Sequence, residues 1–211
     1  MQRERIPHSE TRKMNLSQFI AAGRHVFATI GYDAASARDI VKQSGLAQGS
    51  FYNYFSDKRA LFETILAQIF EPLVPLLKAE RQQATSPYEF LFNAFEACYV
   101  LPLNEPETAA IISRNQTIFR ELFYISGEQN QIREDLRADL EQGQAEGKFR
   151  HFDSGMMADA MISLGMDLVV QTAKDPVAGK ARLVFLAELF LPRIVPDDLD
   201  GSSDSNARRS H

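Results

Sequence analysis

Residues 36–55 read SARDIVKQSGLAQGSFYNYF, and this stretch decides the fold. Ser36 is a helix N-cap, and Asp39 three residues on closes a capping box. Gly45 follows after barely two turns, and glycine adopts the left-handed backbone that ends a helix at little cost. A second short helix then has to hold Gln48 to Phe55. Two short helices joined by a glycine turn form a helix-turn-helix layout. Ile40, Val41, Leu46 and Phe51 are placed to lock the pair together, with Phe55 closing the far end.

The outward residues of the second short helix point to double-stranded DNA. Gln48, Gly49 and Ser50 are small or polar, as a helix end must be to approach the floor of a major groove. Inside a helix glycine costs about 1 kcal/mol relative to alanine. Gly49 therefore makes sense where another backbone or a base comes close. Tyr52, Asn53 and Tyr54 carry hydroxyl and amide tips of the kind that bond phosphate oxygens and set register.

Outward from this core the chain reads as helix after helix. Leu16, Phe19, Ile20, Gly23, Phe27 and Ile30 recur at steps of three and four, so a first helix starts near Asn15 and stops at Gly31. A fourth begins near Asp57, with Leu61, Ile65, Ile69 and Leu73 on one stripe, and Pro72 and Pro75 should kink or stop it. Further helix starts stand at Ser86-Pro87-Tyr88-Glu89, at Asn104-Glu105-Pro106-Glu107, at Ser126-Gly127-Glu128-Gln129, at Asp153 and at Asp175-Pro176. Strand alternation and hairpin turns are missing. The reading is all-α with about nine helices. A flexible basic arm is expected over 1–13 and a three-helix helix-turn-helix unit over 14–60. A helical ligand-binding and dimerisation bundle is expected over 61–195, and a disordered tail over 196–211.

Composition narrows the function further. Hydrophobic residues are 45% and charged residues 24% of 211, which excludes wholesale disorder. Residues 1–62 hold nine Lys+Arg against five Asp+Glu, whereas the remainder holds fourteen against twenty-three. A basic first third on an acidic body points to an anionic partner for the first part alone. One cysteine allows neither an internal disulfide nor a Cys-based zinc site, which fits a reducing compartment. No apolar run follows the early basic residues and none approaches eighteen residues, so neither a secretory signal nor a membrane partner is expected. The expected location is the cytoplasm.

Residues 16–69 resemble the DNA-binding domain of the tetracycline-repressor (TetR) family of bacterial regulators. The matching residues are Ala21, Phe27, Gly31-Tyr32, Ser36, Arg38-Asp39-Ile40, Gly45-Leu46, Gly49, Tyr52, Tyr54-Phe55, Lys58 and Leu61. The resemblance implies a homodimeric transcription factor, usually a repressor, bound to a palindromic operator and released by a small ligand. It implies that Ser36 and Arg38 meet phosphate or a base edge and that Gln48 and Ser50 read bases. Tyr52, Tyr54 and Lys58 would hold phosphates. Ala47 stands where the family usually carries a capping Ser or Thr, and Gln48 where Lys or Arg is frequent, which implies a weaker charge-driven grip.

The last two helices carry apolar residues on two sides. Met157, Met161, Leu164 and Leu168 form one stripe, and Ile162, Met166, Val169 and Val170 another. Leu183, Leu186, Ala187 and Phe190 are likewise set against Val184, Phe185 and Leu189. A helix that is apolar all round has to be buried all round, so these two helices are expected to pair with a second copy of the chain. A two-fold dimer would set its recognition helices into successive major grooves about 34–36 Å apart. An apolar or amphipathic effector is expected among Phe92, Phe95, Cys98, Tyr99, Arg114, Asn115, Phe119 and Phe123, acting through the fourth helix as a lever. The four histidines are scattered, and no catalytic, cofactor or metal motif accompanies them, so no enzyme activity, cofactor or metal is expected. The competing reading is an all-α small-molecule carrier or hydrolase without DNA binding.

Overall fold

The computed structural model describes residues 8–125 and 128–196. Among these the chain is all-α. The helices are α1 (His8–Thr29), α2 (Ala37–Ser44), a 3-10 helix (Gln48–Asn53), α3 (Lys58–Phe70), α4 (Leu73–Gln82) and α5 (Pro87–Asn104). They continue with α6 (Pro106–Arg114), α7 (Gln116–Ile125), α8 (Glu128–Ala145), α9 (Ser154–Lys174) and α10 (Pro176–Ile194). Three boundaries differ from the sequence reading. The first helix begins at His8 rather than near Asn15, so half of the expected arm is helical; nothing between His8 and Gly23 breaks a helix, and Glu10 sits favourably in its first turn. The expected fourth helix is two, interrupted at Glu71-Pro72, and the helix after Asn104 is also two, interrupted at Asn115. The first seven residues of the arm and residues 197–211 of the tail lie outside the described residues.

The described residues form two compact units. One runs up to Pro72 and takes in Asn104–Gln129; the other comprises Leu73–Leu103 and the chain from Asn130 onward. The N-terminal unit therefore extends past the expected boundary at residue 60 and recruits α6 and α7. Side chains explain the recruitment. Arg24 on α1 donates through Nε to Glu107 Oε2 and through Nη2 to Thr108 Oγ1, both at 2.9 Å. Asn115 donates through Nδ2 to the carbonyls of Phe27 (3.0 Å) and Ile111 (2.6 Å), while its Oδ1 accepts from the Tyr32 amide.

The core of this unit is aromatic. Phe19, Phe27, Phe51, Ile40, Leu61, Phe62 and Ile65 are fully buried. Burying each such side chain stabilises by about 1.5–3 kcal/mol. Phe19 meets Phe51 edge-on at 5.5 Å, and Phe27 meets Phe62 edge-on at 5.1 Å. A Cβ on Gly23 would stand 2.7 Å from Leu61 Cδ2, so this glycine is what lets α1 and α3 approach. By length and composition the stretch Lys58–Gln82 is apolar enough to cross a membrane. Its apolar α3 residues instead form this core.

The other unit has its own core, in which Phe90, Leu91, Phe95, Leu140, Leu168, Leu183 and Phe190 meet. Helices α9 and α10 pack against each other across the single residue Asp175, whose carboxylate caps α10 by accepting from the Val177 and Ala178 amides.

Candidate nucleic-acid interface

The helix-turn-helix is built as its sequence dictates. Ser36 has extended backbone and caps α2: the Asp39 amide donates to its Oγ, and the Ser36 amide and hydroxyl donate to Asp39 Oδ2 at 2.9 and 2.6 Å. These bonds from Ser36 hold the Asp39 carboxyl below the usual carboxylate range. Gly45 ends α2 at φ 70°, a backbone that L side chains rarely adopt. The second element is a 3-10 helix and not a full α-helix. Ala47 offers no side-chain cap, and the Ser50 and Tyr54 amides donate back three residues, to Ala47 and Phe51.

This short helix is anchored from below and open above. Phe51 is fully buried between Phe19 and Phe55. A Cβ on Gly49 would meet nothing within 4 Å, and Tyr52 is 66% exposed. Asn53 and Arg38 are exposed as well. Tyr54 is half-buried, its ring 5.6 Å from that of Phe19. Ser50 turns its hydroxyl back to the Ala47 carbonyl. Gln48 opens the helix; its side chain lies outside the described residues. Arg38, Gly49, Tyr52 and Asn53 are thus exposed and Tyr54 is half-buried, whereas the hydroxyls of Ser36 and Ser50 bond within the protein, to Asp39 and to the Ala47 carbonyl.

Lys58 sits differently from expectation. Its ammonium donates to the carbonyls of Tyr32 (2.7 Å) and Ala35 (2.9 Å) and lies 4.3 Å from the centre of the Tyr32 ring. It ties the turn between α1 and α2 to the start of α3. The carbonyls that receive it are backbone groups and carry no mark in the sequence. The Gly31-Tyr32 pair preceding them was the available signal.

The expected effector residues fall in two groups. On α5, Phe95 is buried and stacked on Phe190, while Phe92 and Tyr99 are half-buried and share the Lys180 ammonium at 5.4 and 5.2 Å. Cys98 stands beside Gly165, and burial pushes its thiol up to about 11. In the N-terminal unit Arg114 is exposed, Asn115 is the latch described above, and Phe119 is buried against Phe70. The saturated amide of Asn115 and the packed ring of Phe119 give both residues structural duties. The Phe123 side chain lies outside the described residues.

Residues 19–65 match the family described as bacterial regulatory proteins, tetR family. An uncharacterized HTH-type transcriptional regulator, YvdT of Bacillus subtilis, is 39% identical over 61 residues, 29% of this chain and 31% of that protein. The HTH-type transcriptional repressor KstR2 of Mycolicibacterium smegmatis is 32% identical over 89 residues, 42% of each chain. The matches thus span less than half the length of these relatives. The fold as a whole resembles that of the fatty acid degradation regulator FadR from Bacillus halodurans, with a TM-score of 0.66 over 90% of this chain and 97% of that one, at 18% identity. Residues 19–65 are thus similar to the module of bacterial regulatory proteins of the tetR family, and the fold of the chain is similar to that of the regulator FadR.

Proposed function

We propose that the chain is a cytoplasmic, DNA-binding transcriptional regulator, acting as a homodimeric repressor on a palindromic operator and released by a small apolar or amphipathic ligand. The observation that carries this reading is the pairing of a buried Phe51 with an open Gly49 and an exposed Tyr52 on one short helix. A rigid anchor below and a small, polar surface above are what entry into a major groove requires. Arg38, Gln48, Tyr52, Asn53 and Tyr54 would make the contacts, with Ser36, Ser50 and Lys58 holding the backbone that carries them.

The dimer reading is supported by the last two helices. Leu183, Leu186, Ala187 and Phe190 are buried in their own subunit, whereas Phe185 and Leu189 on the opposite face are 59% and 48% exposed. Such a stripe is the kind of surface that a two-fold interface covers. A mobility-shift titration with the DNA upstream of the chain's own gene tests the proposal. Retardation that weakens steeply with salt and competes poorly with unrelated DNA supports it. Indifference to every oligonucleotide at low ionic strength overturns it.

A further inference from the structure

Two residues keep the short 3-10 helix tightly wound. Ala47 has extended backbone (φ −65°, ψ 141°) and no side-chain oxygen for the amides that follow. Ser50 turns to the Ala47 backbone instead: its amide donates to the Ala47 carbonyl at 2.9 Å and its hydroxyl donates to the same carbonyl at 2.5 Å. A carbonyl oxygen has two lone pairs, and both are taken. An α-helix starting here needs that carbonyl for the amide four residues on, which belongs to Phe51. Ser50 thus holds the segment in the three-residue register.

The far end stands between the two registers. The Phe51 carbonyl accepts from the Tyr54 amide, three residues on, and from the Phe55 amide, four residues on, both at 3.0 Å. Such sharing is common at helix ends, and here it means that the last bond of an α-helix is already made. Phe51 itself is fixed in the core against Phe19 and Phe55, so any change of winding pivots on it. The residues ahead of it are unhindered: Ala47 is exposed, and a Cβ on Gly49 would meet nothing within 4 Å.

We propose that residues 47–53 wind from a 3-10 helix into an α-helix when the protein binds DNA, and that Ala47 and Ser50 together set the cost of this step. The inference rests on the proposed DNA-binding function and goes beyond it. In the bound form the Phe51 amide takes the Ala47 carbonyl and the Ser50 hydroxyl is released to the duplex. Each residue then turns about 100° from its neighbour instead of about 120°, so Gly49, two residues from the pivot, swings by about 40°. The duplex meets the freed hydroxyl in the wound form alone, which is the differential contact that such a shift requires. A hydroxyl at position 47 would lower the cost, because the Ser50 amide would donate to it and leave the carbonyl of residue 47 to Phe51.

Ala47→Ser tests this beside the wild type, with a duplex carrying the DNA upstream of the chain's own gene. Proton NMR separates the windings: a contact from an α-proton to the amide two residues on marks the 3-10 form, and one to the amide four residues on marks the α form. The wild type is expected to show the first when free and the second, between Ala47 and Phe51, when bound. Ala47→Ser is expected to show the second without DNA and to bind roughly fivefold more tightly at an unchanged salt slope. Ser50→Ala, which also frees a lone pair, is expected to wind without DNA and yet bind no more tightly than the wild type. The assignment is overturned by 3-10 contacts that persist in the complex, by α contacts already present in the free wild type, by an Ala47→Ser variant without gain, or by a gain without α contacts in that free variant. A wild-type protein that binds no duplex at low ionic strength sinks the proposed function and this inference together. One that shifts DNA and keeps its 3-10 winding sinks this inference alone.

Discussion

The Lys58 ammonium donates to the carbonyl of Tyr32 at 2.7 Å and lies 4.3 Å from the centre of that residue's own ring. A cation held in this way is a structural pin. Hydrogen bonds to charged groups contribute about 1.5–3 kcal/mol. Lys58→Ala is therefore expected to lower unfolding free energy by roughly 1–3 kcal/mol, measured by urea titration. DNA affinity of the folded fraction should keep its salt dependence. A slope flatter by about one in log K against log salt would instead assign Lys58 to a phosphate.

Gly49 gives the converse test. A Cβ there meets nothing, and its backbone is not left-handed, so Gly49→Ala should leave the melting temperature unchanged or raise it slightly. Gly49→Leu should fold equally well and yet lose at least tenfold in DNA affinity, because a branched side chain would hold the helix away from the bases. Melting curves paired with fluorescence anisotropy separate the two effects. Equal affinity of the leucine variant would remove this helix from the interface.

Asn115 makes three side-chain hydrogen bonds, one back to α6 at Ile111 and two to the end of α1 and the turn after it, at Phe27 and Tyr32. Its removal leaves the Tyr32 amide and the Phe27 and Ile111 carbonyls without their partner, and an unsatisfied buried polar group costs about 1–3 kcal/mol. Asn115→Ala should therefore destabilise the protein by roughly 2–4 kcal/mol, more than Lys58→Ala. Hydrogen exchange should show faster exchange at Tyr32 in particular. A change below 1 kcal/mol would show that the latch is dispensable.

These residues also mark what the sequence made legible. The Ser36–Asp39 box, the Gly45 turn and the starts at Pro87, Asp153 and Pro176 are local, each written within a few residues, and all were readable. The N-terminal unit's claim on α6 was not, because it rests on partners 83 to 88 residues apart, such as Arg24 with Glu107 and Asn115 with Phe27. Arg114, Asn115 and Phe119 looked like ligand contacts because an amide, a cation and a ring suit a pocket as well as they suit a latch. The short 3-10 helix was half legible: Ala47 announced the missing cap, but the tighter hydrogen bonding emerges only once Phe51 is locked against Phe19.

Cys98 offers a pH test with a definite sign. Burial raises its thiol to about 11 from the usual 9.0, so the folded state disfavours the thiolate. The resulting stability is complete below pH 9 and is lost as pH rises from there through 11. At pH 8 iodoacetamide should alkylate the native protein far more slowly than the urea-unfolded chain, and Cys98→Ala should flatten the alkaline decline in stability. Rapid native alkylation would mean that the thiol is open to solvent.

The apolar stripe on α10 yields the last expectation. Val177, Phe185 and Leu189 recur at helical spacing, and all three are exposed, Val177 at 81%. A self-complementary interface centred on them would be broken by a charge at its middle, since two like charges would face each other across the two-fold axis. Phe185→Asp should therefore sediment as a folded monomer at micromolar concentration, with helical circular dichroism unchanged because the position lies outside the subunit core. Its DNA affinity should fall by at least a hundredfold, since one head alone has to bind without the effective concentration that the second supplies. A wild-type protein already monomeric, or a Phe185→Asp variant still dimeric, would move the interface elsewhere.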